Sequence, residues 1–409
     1  MKENVPKPQR RNYYILILSV VSMQITSSTI YMVLPLFFEQ FGITKSENGI
    51  LISVGTLAGI VSGLAAGKLS DSHGRKIFLV IGTVLYSLVF FMFVLMGHDF
   101  NTLFVLRFVE GFGFYIVPVI ITAMAADIFP PSERGKAMGL YSLSFGIGGL
   151  IGPLITPLLV RGNDFSTYFI FSGIFVFISA VIMMFFVKET FPPETRSKAR
   201  IRGKGYDVRD FLTSVKGLGV VVGIFLIAVL LYRIGYTMID PFFSLYLQDV
   251  LHSDITSISY LYALRAIFTI IFSPLAGFVV DRYGRKPTYM VGMALTIVTL
   301  IGYNLMGSFT QVVILRALLD GASSTILLTS IRAYMADLLS PETMGFGMGL
   351  HSAITQQSST LGSMFSGYMI DLYGYGTIFL TAAATALLAL IIVLRWVPEP
   401  PKNMQKDRD

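Results

Sequence analysis

The chain has 409 residues, 54% of them hydrophobic and only 13% charged, with a mean hydropathy of +0.70. A soluble globular chain carries about 25% charged residues, so this balance excludes an ordinary soluble domain and points to repeated passage through a bilayer. The absence of cysteine excludes disulfides and thiolate metal sites, and His73, His98, His252 and His351 are too scattered for a metal-binding spacing.

Taken in order, the apolar runs fall at residues 13–38, 49–68, 77–97, 102–126, 137–160 and 166–187. After a polar stretch they resume at 217–247, 256–280, 287–307, 311–336, 346–370 and 377–397. Each reaches the roughly 20 residues that a membrane-spanning helix needs. The pattern predicts an all-α integral membrane protein with twelve transmembrane helices in two sets of six. The expected domains are an N-terminal bundle at 1–187, a cytoplasmic linker at 188–216, and a C-terminal bundle with a short tail at 217–409. The first run follows basic residues as a signal peptide would. It is longer than a signal core and lacks a persuasive cleavage site, so it is expected to be retained as a helix. The linker mixes charges with Pro192, Pro193, Gly203 and Gly205, and a short surface helix is expected near 208–215.

Charge orients the spans. Lys7, Arg10, Arg11, Lys68, Arg75, Lys76, Arg134, Lys136 and the basic linker fall on one side, whereas only Lys45 and Arg161 fall on the other. The excess of Lys and Arg marks the cytoplasmic face and predicts both termini there. The net charge of +7 is thus a topology signal rather than a nucleic-acid footprint.

The two halves repeat. G-K-L-S-D-S-H-G-R-K at Gly67–Lys76 returns as G-F-V-V-D-R-Y-G-R-K at Gly277–Lys286, an offset of 210 (277 − 67). Asp127 and Asp337, Gly139 and Gly349, and Glu189 and Glu399 keep the same offset. Leu34-Pro35-Leu36-Phe37 resembles Asp240-Pro241-Phe242-Phe243 at a slightly smaller one. An even number of spans gives the halves the same orientation, with a pathway expected between them near mid-depth.

These features resemble the major facilitator superfamily, and within it the drug:proton antiporter branch, over essentially the whole chain. Gly67, Leu69, Asp71, Gly74, Arg75 and Lys76 fit the family turn G-x-L-x-D-R-x-G-R-K/R, with Ser72 departing from it. Arg107, Gly111 and Gly113 fit R-x-x-x-G-x-G in the fourth run. Gly139, Gly148, Gly152 and Pro153 fit the antiporter motif of the fifth run, but Thr156 and Pro157 replace its terminal glycine pair. The resemblance implies a conformational latch of Gly67, Asp71, Gly74, Arg75, Lys76 and Asp127, repeated by Asp281, Gly284, Arg285 and Asp337. In it Arg75 would contact Asp127, and Asp71 would face a helix N-terminus of the other half, favouring an outward-facing state. The glycine-rich fifth run would pack against the other half, and Gly345, Gly347, Gly349 and Gly362 offer the symmetric place in the eleventh.

Eight charges lie within the spans: Arg107, Glu110, Arg233, Asp240, Arg265, Arg316, Asp320 and Arg332. Each costs about 2.5–3.5 kcal/mol at a helix centre on insertion scales, so they are expected to pair or to face a cavity. Arg107 and Glu110 are i, i+3, and Arg316 and Asp320 are i, i+4, so each pair shares a helix face. Asp240, Glu110 and Asp320 are candidates for reversible protonation, with a fixed structural ion pair as the alternative. Asp240 has Arg233 two turns away and is expected to be the least tightly held. Arg107, Arg233, Arg265, Arg316, Gln24, Tyr31, Tyr115, Tyr141, Tyr232 and Tyr236 are candidates to line a substrate cavity; for the aromatic residues, helix packing is the bland alternative. The first run carries no acid, and five arginines against three acids favour an anionic or neutral substrate over a lipophilic cation.

The expected function is secondary active transport by alternating access, as proton-coupled antiport (efflux) of small organic compounds. The alternative is proton symport or facilitated passage of an organic anion or sugar. An enzyme is not expected, because no nucleophile–base or metal cluster is evident. Neither is a primary pump, because no G-x-x-x-x-G-K-[ST] loop occurs. The expected partners are a small-molecule substrate, protons and the lipid bilayer, with no cofactor, no metal and no nucleic acid. The proton gradient would supply the energy, and the resemblance implies a monomer in the cell membrane.

Overall fold

The computed structural model describes residues 6–191, 215, 217–340 and 343–399. The expected surface helix near 208–215 lies outside them but for residue 215. Among the described residues there is no strand, only an isolated bridge between Arg161 and Asp164. The described residues form twelve long helical segments. They are α1 Lys7–Glu39, α2 Lys45–His73, α3 Arg75–Leu95, α4 Phe100–Ile128, α5 Pro131–Leu159 and α6 Ser166–Phe186. There follow α7 Val220–Asp249, α8 Ile255–Tyr283, α9 Arg285–Leu305 and α10 Phe309–Leu338, α11 Met344–Tyr373 and α12 Tyr375–Trp396. Eleven are long and apolar enough to cross a membrane. The other, α11, carries a polar stretch from Thr355 to Thr360.

The helices gather into two compact units. Unit 1 is Met1–Lys204 with Ile255–Ala263, and unit 2 is Gly205–Asp254 with Leu264–Asp409. In unit 1, α2 packs along α4, α3 along α4 and α6, and α1 along α5 and α6. In unit 2, α7 packs along α11 and α12, and α9 along α10 and α12. Each unit has an aromatic core at one end. Phe37, Phe93 and Phe169 meet edge-on or tilted at centroid distances of 4.6 to 5.9 Å. Phe243, Tyr303 and Phe379 do the same in unit 2, at 5.1 and 5.4 Å. Edge-on and tilted rings satisfy the aromatic quadrupole while burying large apolar area.

Two helices are broken where the sequence removes backbone donors or offers competing ones. Helix α7 gives way after Thr237 to a short 3-10 turn at Asp240–Phe242. Pro241 has no N–H for the carbonyl of Thr237, which frees the chain to turn. Helix α1 is interrupted between Ser27 and Ile30. There Ser28 and Thr29 hydroxyls donate back to the carbonyls of Ile25 and Thr26, a local competition that bends helices. Pro35 lies one turn further on.

The expected glycine contacts of α5 take a specific form. A Cβ at Gly148 would overlap the carbonyl of Gln24, and one at Gly152 would overlap the carbonyl of Ile25. These glycines therefore seat α5 on α1 of their own unit. Ser28 Oγ lies 2.8 Å from Gly148 O, so its one proton is shared between that carbonyl and the carbonyl of Ile25. Unit 2 repeats the device at Gly362, whose Cβ would strike Thr237, and Thr237 Oγ1 donates to Ser358 O at 2.7 Å. Gly139 has nothing within 4 Å of a built Cβ, so no close approach explains it.

Candidate functional site

The charged turns form as compact clusters at one end of each unit. Gly74 and Gly284 take φ of +103° and +97°, which L side chains rarely adopt. Arg75 binds Asp71 at 2.5 Å and Asp127 at 3.3 Å. Arg285 binds Asp281 at 2.9 Å and Asp337 at 2.8 Å. Two further acids complete these clusters. Glu189 accepts from the backbone N–H of Arg75 and Lys76 at 2.9 and 3.1 Å. Glu399 accepts from those of Arg285 and Lys286 at 2.8 and 2.7 Å. Each acid thus caps the N-terminus of α3 or α9, where free N–H groups and the helix dipole favour a carboxylate. The repeat of Glu189 and Glu399 was the sequence signal for this role.

In unit 1 the buried charges are self-contained. Arg107 and Glu110, 2% and 4% exposed, bond to each other. Arg107 Nε also donates to Leu51 O at 3.1 Å. The guanidinium lies against Gly55, where a Cβ would collide with it. Tyr31, Tyr86 and Tyr115 close around the pair, leaving a void of only about 30 Å³. Gln24 and Tyr141 are buried but border neither this void nor the cavity of unit 2. Gln24 accepts from Ser27, and Tyr141 packs edge-on to Phe145.

Unit 2 holds a network of five residues, Asp240, Asp320, Arg265, Arg316 and Tyr236. Asp320 accepts from Tyr236 Oη at 2.9 Å and from Arg265 Nε at 2.8 Å, and pairs with Arg316 at 3.3 Å. Arg265 also donates to Tyr236 Oη at 3.0 Å. Arg316 reaches Asp240 at 2.6 Å and stacks its guanidinium 4.3 Å from the Phe243 ring centroid. Two carboxylates thus face two guanidiniums. Asp240 is the less tightly held of the two acids, as expected, but its partner is Arg316 on α10 rather than Arg233. Seven residues along a helix advance about 10.5 Å, beyond easy side-chain reach, and the turn at Asp240 swings its carboxylate toward α10. The Asp240 side chain is nevertheless 41% exposed, whereas that of Asp320 is 2% exposed.

Arg316 reaches Asp240 from a π-helical segment, Ile314–Asp320. Glu110 and Asp320 are 210 apart, but Arg107 and Arg316 are 209 apart, so one residue is added between arginine and acid in the second half. A π turn absorbs a single extra residue, and such turns recur at functional sites. The change from i, i+3 to i, i+4 was the readable sign.

A large cavity lies beside this network, about 1010 Å³ in volume and walled by α7, α8, α10 and α11. Tyr232, Arg233, Tyr236, Asp240 and Arg265 reach it, as expected from the sequence. Arg332, one of the charges expected to pair or to face a cavity, lines it too; Thr269, Ser273, Thr325, Thr329 and His351 also line it, although they were not among the expected site residues. A periodic signal could have found several of them. Helix α2 carries glycine every fourth residue at 55, 59, 63 and 67; 210 positions on, α8 reads Arg265, Thr269, Ser273 and Gly277. In unit 1 the glycines admit the facing helix: a Cβ at Gly111 would overlap Gly55 O, and Gly59 lies against Tyr115. In unit 2 these places carry side chains, Arg265 reaches across to Asp320 on α10, and a Cβ at Gly321 would come no nearer than 3.3 Å to Phe268.

The profile of the Major Facilitator Superfamily matches residues 16–229 and 225–409. The multidrug resistance protein MdtG of Proteus mirabilis is 26% identical over 369 residues, covering 88% of this chain and 89% of that protein. The quinolone resistance protein NorA of Staphylococcus aureus is 24% identical over 375 residues, covering 88% and 90%. Among solved structures, a bacterial homolog of the human lysosomal transporter Spinster aligns with a TM-score of 0.74 at 14% identity, covering 96% of each chain. A D-xylose–proton symporter aligns with a TM-score of 0.73 at 15% identity, covering 96% of this chain and 98% of that one. The solved structures share the fold.

Proposed function

The chain belongs to the major facilitator superfamily, a family of membrane transporters rather than enzymes, and from that premise we propose that it is a proton-coupled antiporter exporting small organic compounds. The observation that carries this reading is Asp240, a half-exposed carboxylate on the wall of a large cavity, held by one arm of Arg316. Protonation of Asp240 would free Arg316 to rest on Asp320 alone, and deprotonation would restore the balanced network. A substrate that competes for Asp240 or Arg316 would thereby exchange with a proton. The resistance proteins among the relatives support export. The latch clusters would bias one conformation, and alternating access would carry the substrate across. Asp240 is the first candidate for the proton; Glu110, sealed against Arg107, reads better as a structural or gating pair. Both termini would lie in the cytoplasm of a cell whose plasma membrane holds the protein as a monomer.

The second reading, symport or facilitated passage of an organic anion or sugar, is favoured by Thr156 and Pro157, which stand where the antiporter motif has glycines. Transport into proteoliposomes under an imposed pH gradient separates the two. The panel holds lipophilic cations, neutral drugs, organic anions and sugars, for the native chain, Asp240→Asn and Glu110→Gln. Antiport is expected to drive substrate against proton flow and to lose that drive in Asp240→Asn while keeping it, at reduced rate, in Glu110→Gln. Substrate moving with protons, or equilibrating whatever the gradient, would overturn it.

A further inference from the structure

The cavity of unit 2 has more cation than its acids can neutralise. Asp240 and Asp320 are taken up by Arg316 and Arg265. Arg233 and Arg332 also line the cavity, and neither has a carboxylate within ion-pairing distance among the described residues. The Nε of Arg233 is buried with no hydrogen-bond partner. His351, 9% exposed, lines the same cavity from α11, with Arg233 on α7 and Arg332 on α10. Between these groups the wall is hydroxylic, with Thr325, Thr329, Ser352 and Thr355.

The repeat shows that this charge is particular to the second half. Positions 210 residues before Arg332 and His351 hold Thr122 and Tyr141, and the first span has no basic residue between Tyr13 and Phe38. Helix packing does not account for a pair of arginines facing open space, because the structurally equivalent unit does without them. A guanidinium with no carboxylate partner is best satisfied by an oxyanion whose paired oxygens match its donor fork.

We infer that Arg233, Arg332 and His351 form an anion subsite in the unit 2 cavity, which takes the carboxylate or sulfonate of an amphipathic organic substrate. The inference rests on the transport reading above and names its substrate class. Arg233 stands two turns before Asp240 on α7, so an anion held there would share the cavity with the proposed proton carrier. Tyr232 and Tyr236 lie on the same helix and line the cavity, where they could contact the apolar body of the substrate. The oxyanion belongs to a soluble organic solute rather than to a lipid, because Tyr232 and Tyr236 suit a compact aromatic body and the hydroxyl-lined wall does not suit acyl chains.

The test uses the full chain in nanodiscs and three probes with one ring system: 1-naphthoate, 1-naphthalenemethanol and 1-naphthylmethylammonium. Calorimetric titration is expected to show naphthoate binding more tightly than the other two by about tenfold or more. Arg233→Gln and Arg332→Gln are each expected to remove that preference while leaving the alcohol unchanged. Ser352→Asp, which adds a carboxylate to the wall without removing a guanidinium, should weaken naphthoate alone and guards against loss through misfolding. Equal binding of the three probes, absence of binding, or an unchanged preference in all three variants would overturn the inference. So would displacement of naphthoate by raising the phosphatidylglycerol content of the nanodisc, which would make the ligand a lipid phosphate. Arginine-dependent binding of naphthoate with no gradient-driven transport would leave the subsite standing and defeat only the antiport reading.

Discussion

Gly55 and Arg265 occupy equivalent places in the repeat and make different contacts: Arg265 binds Asp320 and Tyr236 across the cavity wall. Gly55 lets the backbone of α4 approach until a Cβ on Gly111 would overlap its carbonyl. Close approach through glycine is a common way for helices to associate in a bilayer, where dispersion rather than water exclusion drives packing. Gly111→Ala is therefore expected to destabilise the protein by about 1–3 kcal/mol through overpacking, seen as a lower melting temperature in detergent. Gly139→Ala, with no neighbour within 4 Å, should be neutral or slightly stabilising, because alanine is the better helix former. Tyr236→Phe makes the corresponding test in unit 2. It leaves Asp320 without one donor and Arg265 without one acceptor, a loss of about 1–3 kcal/mol for buried groups. Its expected signature is a shifted pH profile of transport, which a merely structural tyrosine would not produce.

Among the elements, the caps and the π turn carry the most information. Glu189 and Glu399 each take two backbone N–H groups at the start of a helix that follows a glycine of positive φ. Replacing a cap by alanine costs about 0.5–2 kcal/mol, so Glu189→Ala and Glu399→Ala should lower thermal stability by similar amounts. Glutamine, which keeps an acceptor, should recover part of the loss. The π segment of α10 aims Arg316 at Asp240. Deleting Leu318 would restore the i, i+3 spacing of Arg107 and Glu110 and rotate Arg316 away from α7. The variant is expected to remain monodisperse by size-exclusion chromatography but to lose gradient-driven transport; full transport would show that the π turn is dispensable.

For the whole molecule, the two units share a plan but differ in openness, with a void of about 30 Å³ in one and a cavity of about 1010 Å³ in the other. Because the chain contains no cysteine, single cysteines report this difference without a cleared background. Thr329 lines the cavity of unit 2, and its counterpart Val119 lies 3.5 Å from a Cβ built on Gly63. Thr329→Cys is expected to react with a small charged thiosulfonate far faster than Val119→Cys. Equal rates would mean that the two units are equally open.

Much of this architecture was legible in the sequence because the bilayer imposes it. A span must be apolar over some 20 residues, basic loops mark one side, and a duplicated plan leaves residues at a fixed offset. The Arg75–Asp127 and Arg107–Glu110 contacts followed from the family turn and from helical spacing. The partner of Asp240 did not, because Arg316 lies 76 residues away and a π turn decides where it points. Nor did the cavity follow from counting charges, since its size depends on how near α8 can come to α10. The sequence by itself determined how many helices form and which charges enter the membrane, both set by local apolar length. Tertiary structure decided which charges pair and which wall remains open, because those depend on helix separations that a side chain of glycine or arginine sets only once a second helix faces it.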